Sequence, residues 1–193
     1  VVNIVRVITV TRGVAAVALA LTVLAGCADP DAPSGTASRP AASPSTEQHA
    51  TPTPPAAAAQ QNRAGAVAFT EHWFALLSYA IETGNTKQLR AASDRACRVC
   101  TQAITDIERA YGDGGSIHGG AYTVREATTF EDFAGRLMTV AVFYDRSPRE
   151  GMSPLGVPRG RQEGAALASC DARLQWSGSG WTMRSVDGAQ PVF

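Results

Sequence analysis

The chain has 193 residues, and its 17 basic and 17 acidic side chains cancel, with aromatics at 7% and hydrophobic residues at 45%. From residue 63 onward, 14 basic residues face 14 acidic ones, a balance that argues against nucleic acid as a partner, because phosphate recognition needs a basic surface excess. That stretch is long enough for one domain around one core.

Residues 1–27 read as a targeting segment. Arg6 and Arg12 precede the apolar run 14–24, whose 11 residues fall well short of the about 20 needed to cross a bilayer. The run closes on Leu24-Ala25-Gly26-Cys27, which resembles the lipobox of bacterial lipoproteins. That resemblance implies that Cys27 takes a diacylglyceryl group and becomes the N-terminus of the mature protein. The expected location is the extracytoplasmic face of the cell membrane, reached through the lipid.

Residues 28–62 hold seven of the 11 prolines and eight Ser or Thr, with no Leu, Ile, Val, Met or aromatic residue. With nothing apolar to bury, ordering them costs about 1–2 kcal/mol per residue without return. They are expected to be a disordered tether, and residues 63–193 a single domain.

Within 63–83, Val67, Phe69, Trp73, Phe74, Leu76, Leu77, Ala80 and Ile81 share one half of a helical wheel, with His72 and Tyr79 on the polar half. Gly84 stops this helix, residues 86–92 suit a short second one, and Ser93 or Asp94 is expected to cap a third over 94–111. Its inward arc would hold Cys97, Cys100, Ile104 and Ile107, with Arg98, Asp106 and Arg109 facing away. The glycine-rich residues 111–120 then change the period from helix to strand. Strands are expected over 121–130, 136–144, 165–176 and 181–186, with 146–164 a long loop marked by Pro148, Pro154 and Pro158.

Helices followed by antiparallel strands give an α+β layout. The order resembles the cone-shaped fold of nuclear transport factor two and its relatives, which implies a curved antiparallel sheet closing over a long helix and often a pocket. The strings WFALLSYAIETGNTKQLRAASDRACRVC and IERAYGDGGSIHGG resemble an uncharacterised actinobacterial lipoprotein family, a domain-of-unknown-function family with a lipobox, a Pro/Ser/Thr tether and a CxxC helix. No activity is implied by that resemblance.

Three cysteines remain after Cys27. Disulfides persist outside the cytoplasm, and residues i and i+3 of a helix lie close enough for one. Cys97–Cys100 is the first choice, and a bridge from either to Cys170 is the alternative. A thioredoxin-type redox pair places its first cysteine at a helix N-terminus, whereas Cys97 is expected one turn inside. A zinc site would need a second pair of ligands, and His49, His72 and His118 show no paired spacing, so neither a metal nor a cofactor is expected.

No catalytic set is assigned. His118 in the glycine-rich turn, and Glu126, Glu131, Asp132 and Asp145 near the strands, read as surface groups unless a pocket gathers them. Two functions follow: a non-enzymatic domain binding a small apolar ligand or an envelope protein, or a small pocket enzyme of isomerase, dehydratase or hydrolase type. An ionisable residue deep in the pocket under the sheet favours the second; apolar side chains there favour the first. Without a pocket, the 146–164 loop and the Gly112–Gly120 turn are the expected interaction surfaces.

Overall fold

The computed structural model describes residues 50–133 and 136–188. The expected signal segment, Cys27, His49 and the earlier part of the tether lie outside those residues.

Helix α1, Arg63–Thr83, begins where Asn62 Oδ1 accepts the Gly65 N–H at 2.8 Å. It ends at Gly84 in the left-handed conformation, φ 74°. Here glycine is required twice over, since a Cβ would also stand 2.6 Å from the Tyr111 ring. Helix α2, Lys87–Ala91, buries Leu89. Helix α3, Arg98–Gly112, starts four residues later than the sequence predicts, and Cys97 is its N-cap.

The delay has a local cause. The segment 92–94 is tied to a strand: Asp94 N–H donates to Met183 O and Met183 N–H donates to Ala92 O. Asp94 then turns the chain, its Oδ1 accepting the Ala96 N–H at 2.7 Å and its carbonyl accepting the Cys97 N–H. Residues 94–97 are therefore spent on a turn before the helix can begin.

Among the described residues seven strands follow: β1 Ser116–Gly119, β2 Tyr122–Phe133, β3 Leu137–Arg146, β4 Arg149–Met152, β5 Pro158–Gln162, β6 Ala165–Trp176 and β7 Trp181–Asp187. The main sheet runs β2-β3-β6-β7, antiparallel throughout, and a small one runs β1-β4-β5. Register shifts interrupt β2 twice and the β3–β6 and β6–β7 ladders once each, and such bulges bend a sheet. The result is the expected α+β architecture: helices on one face of an antiparallel sheet.

Two expectations change. The region 146–164 is not a long loop but holds β4, which pairs with β1 inside the glycine-rich stretch, and β5, which pairs with β4. Gly119 permits that approach, as a Cβ there would lie 2.2 Å from Pro148 O. The ordered chain also begins before residue 63. Residues 56–59 form a 3-10 turn, Ala58 is buried, and Trp181 Nε1 donates to Gln60 O at 2.9 Å. Although it has no large apolar side chain, this segment gains order by covering those of others.

The space between α1 and the main sheet is filled. Trp73, Phe74, Leu77 and Ile81 from the helix meet Val140, Val142, Leu174 and Met183 from the strands, all at most 2% exposed. Phe74, Tyr122 and Tyr144 form a ring cluster with centroids 5.3–5.7 Å apart. Ser78 stitches helix to sheet, its hydroxyl accepting the Tyr122 N–H at 2.9 Å.

Candidate functional site

Cys97 and Cys100 form a disulfide with their Cα atoms 5.3 Å apart, and Cys170 is a free thiol. The Cys100 N–H donates to Cys97 Sγ at 3.3 Å, so the bridge also closes the helix end. The position of Cys97 corrects the reading that set it inside the helix: it occupies the terminus that a redox pair would use. Burial restrains that chemistry, since Cys97 is 1% and Cys100 0% exposed, and thiol exchange needs an accessible sulfur. Burial, with Asp171 and Asp187 nearby, raises the Cys170 pKa to about 12, which keeps it a neutral core thiol.

The residues named as possible acids and bases are not brought together. His118 is exposed on β1, its Nε2 3.3 Å from Ser116 Oγ. Glu126 is exposed on β2, and the Glu131 and Asp132 side chains lie outside the described residues. Asp145 accepts the Leu167 N–H at 2.8 Å and pairs with Arg125 at 2.7 Å. The Leu167 N–H, then Arg125, hold its carboxyl below the ordinary range. His72 lines a groove of about 400 Å³ with Pro52, Phe69, Leu76 and Trp181, and partial burial lowers its pKa.

Among the described residues, the space between α1 and the main sheet, where a pocket could have seated a ligand, holds packed side chains. Room is found on the other side of α3. A groove of about 350 Å³ lies between that helix and the small sheet, within the range of small-ligand sites. The helix contributes Asp106, Arg109 and Ala110, β1 contributes Ile117, and β4 and β5 contribute Arg149, Met152, Arg159 and Arg161.

Asp106 corrects another expectation, being buried rather than turned to solvent. Its Oδ2 accepts Gln102 Nε2 at 2.8 Å and its Oδ1 accepts Arg109 Nη1 at 2.7 Å. Arg149 is 3% exposed and donates to Gln162 Oε1, which Arg146 also reaches, at 3.3 Å. Burial lowers the Arg149 pKa; Tyr122 raises it, the charge of Arg146 lowers it, and Asp106 raises it. Sequence reasoning passed over this group because a balanced charge total hides clustering. The available signal was Arg146, Arg149, Arg159 and Arg161 within one short stretch.

The chain matches a family model over residues 36–187, described as "Family of unknown function (DUF6318)". No curated protein matches it by sequence. Among solved structures it is similar to the intermembrane space region of the chloroplast protein ARC6, at 14% identity and TM-score 0.48, covering 67% of this chain and 99% of that one. It is similar to the Kfla4162 protein from Kribbella flavida at 11% identity and TM-score 0.40, covering 60% of this chain and 83% of that one. It is also similar to Aln2 from a Streptomyces species at 13% identity and TM-score 0.37, covering 62% of this chain and 87% of that one.

Proposed function

The chain belongs to DUF6318, a family of unknown function, and on that premise we propose an extracytoplasmic lipoprotein, held to the membrane through a lipid on Cys27, whose folded domain binds rather than catalyses. The Leu24-Ala25-Gly26-Cys27 string supports the anchor. The buried Cys97–Cys100 disulfide supports an oxidising compartment.

One observation carries the binding half: of the grooves on the described surface, the one beside α3 gathers the buried charged side chains. Apolar and aromatic side chains fill the space under the sheet, whereas the groove beside α3 is open and lined by charged groups. Its buried carboxylate, Asp106, is held by Gln102 and Arg109, which suits a fixed recognition surface better than a proton carrier.

The test is expression of the full chain in a host that processes lipoproteins, followed by mass analysis of the mature N-terminal peptide and native mass spectrometry of the detergent-released protein. A diacylglyceryl mass on Cys27 and a discrete bound molecule are expected. An unmodified Cys27 peptide overturns the anchor, and a protein released with nothing bound overturns the binding role.

A further inference from the structure

The turn joining β4 to β5 carries the barest large apolar side chain among the described residues, Leu155 at 89% exposure, with Val157 at 58% beside it. Exposed apolar side chains alone say little. The backbone beneath them says more. The Ser153 N–H donates to Val157 O at 2.8 Å, the Gly156 N–H to Ser153 O at 2.9 Å, and the Val157 N–H to Ser153 Oγ at 3.0 Å. Pro154 and Pro158 have no N–H to satisfy. Of residues 153–158, only Leu155 has an N–H outside this set. A turn in water has no need of such closure, because solvent serves its donors. A turn that leaves water does need it, because nothing in hydrocarbon replaces the lost bond.

The tip also lies where the chain enters the fold. Thr51 Oγ1 donates to Tyr79 OH at 3.1 Å, one turn before α1 ends at Thr83. Just past that end, Gly84 lies against the Tyr111 ring, and a Cβ on Gly114, three residues beyond Tyr111, would meet Pro154 at 3.6 Å. A run of contacts thus joins the entry point, the ends of α1 and α3, and the hairpin tip at one end of the folded unit. With an anchor at Cys27, residues 28–49 separate the lipid from that entry point, and a coil of such length spans roughly 25 Å. The end drawn toward the bilayer is the end that bears Leu155. Behind the tip, Arg159 and Arg161 are exposed on β5. Arg161 meets Glu163 at 3.3 Å, and among the described residues Arg159 makes no ion pair.

We propose that this hairpin tip enters the surface of a lipid bilayer, Leu155 and Val157 reaching the acyl boundary while Arg159 stays among the phosphate headgroups. A long cationic side chain just behind an apolar tip suits that boundary. A protein partner fits less well. Two side chains on a convex turn fall far short of the about 800 Å² per side of an ordinary protein interface, whereas a fluid bilayer closes around a small wedge. The contact is weak alone and becomes effective because the anchor confines the domain near the surface. It goes beyond the groove reading and takes from the anchor reading only the direction of approach.

The test supplies its own anchor and so does not depend on Cys27. Residues 28–193, which contain every described residue, carry an N-terminal histidine tag and are held on phosphatidylcholine vesicles by a nickel-chelating lipid. An environment-sensitive NBD group is attached at Val157→Cys or, in a second protein, at Ser179→Cys, in the exposed turn before Trp181 at the other end of α1. Cys170 is buried and stays unlabelled. Tethering should shift the emission of the 157 probe to the blue and open it to quenchers carried in the lipid, leaving the 179 probe as in water. Leu155→Asp, still held by the tag, should lower the inserted fraction about tenfold or more, since the tip loses a leucine's burial. The altered side chain is exposed, and an unchanged thermal midpoint is the control. Adding phosphatidylglycerol should deepen quenching at 157, and Arg159→Gln should remove that gain.

A 157 probe that stays water-like on tethered vesicles overturns the proposal, which is also the outcome expected if the tip serves a protein. Equal quenching at 157 and 179 overturns it too, because no end of the fold would then be chosen. So does Leu155→Asp with its parent's quenching. A phosphatidylglycerol gain that survives Arg159→Gln removes Arg159 from the contact. An unmodified Cys27 in the native protein refutes the anchor and leaves this assay unaltered, and a failure here leaves both the anchor and the groove readings untouched.

Discussion

At Leu167 the backbone takes a left-handed turn, φ 49°, that non-glycine residues avoid, and its side chain is 70% exposed. The N–H of that residue is held by Asp145 Oδ1 at 2.8 Å. Leu167→Gly should therefore raise stability by about 0.5–1 kcal/mol in urea denaturation, relief of the turn exceeding the added freedom of the unfolded chain. A loss of stability would mean that the exposed leucine packs more than its exposure implies. Cys170 permits a pH prediction. Its folded pKa, about 12, stands above that of an unfolded thiol, so its stabilisation is complete below about pH 8.5 and is lost as pH climbs toward 12. Urea midpoints should fall across that window, and Cys170→Ala should flatten the fall. Native alkylation at pH 8 should leave this thiol unmodified until the protein unfolds.

Among the elements, α1 and α3 hold each other's ends. Tyr111, in the last turn of α3, donates its hydroxyl to the Ile81 and Glu82 carbonyls, both at 2.8 Å, near the C-terminus of α1. Gly84→Ala should cost at least about 1–2 kcal/mol, from the positive φ alone, with the displaced Tyr111 ring adding to it. Circular dichroism melts of Gly84→Ala and Tyr111→Phe check this, with a smaller loss expected for the second. Reducing the disulfide, or changing Cys97 and Cys100 to Ala, should lower stability by about 2–3 kcal/mol, modest because so short a ring restricts the unfolded chain little.

The sequence made some of these elements legible and hid others for physical reasons. The period of Phe69, Trp73, Leu76, Leu77 and Ala80 marked α1, and the alternation Met138, Val140, Val142, Tyr144 marked β3, because each buries one clean face. β5 is exposed at four of its five positions, so no alternation exists to be read. The start of α3 was misplaced because Asp94 is paired with Met183, a partner far along the chain. The groove was hidden likewise: Asp106 shares its lining with Ile117, Arg149 and Arg159, which lie on strands distant from it along the chain.

For the whole folded unit, the boundary matters most. Limited proteolysis should release a fragment that begins at or before residue 50, and a chain cut to start at residue 63 should be less stable by about 1–3 kcal/mol, having lost the Gln60 acceptor of Trp181 and the cover from Ala58. An equally stable 63–193 fragment would show that the segment merely lies there. If the prediction holds, residues 50–62 act mechanically. A pull arriving from the N-terminal side loads this strip first, through the Thr51–Tyr79 and Trp181–Gln60 hydrogen bonds and a few small side chains, before any force reaches α1. The strip would peel at low force and let out about 45 Å of chain at ~3.4 Å per residue. Tension would thus be spent on slack, and the core behind Trp181 would feel it last.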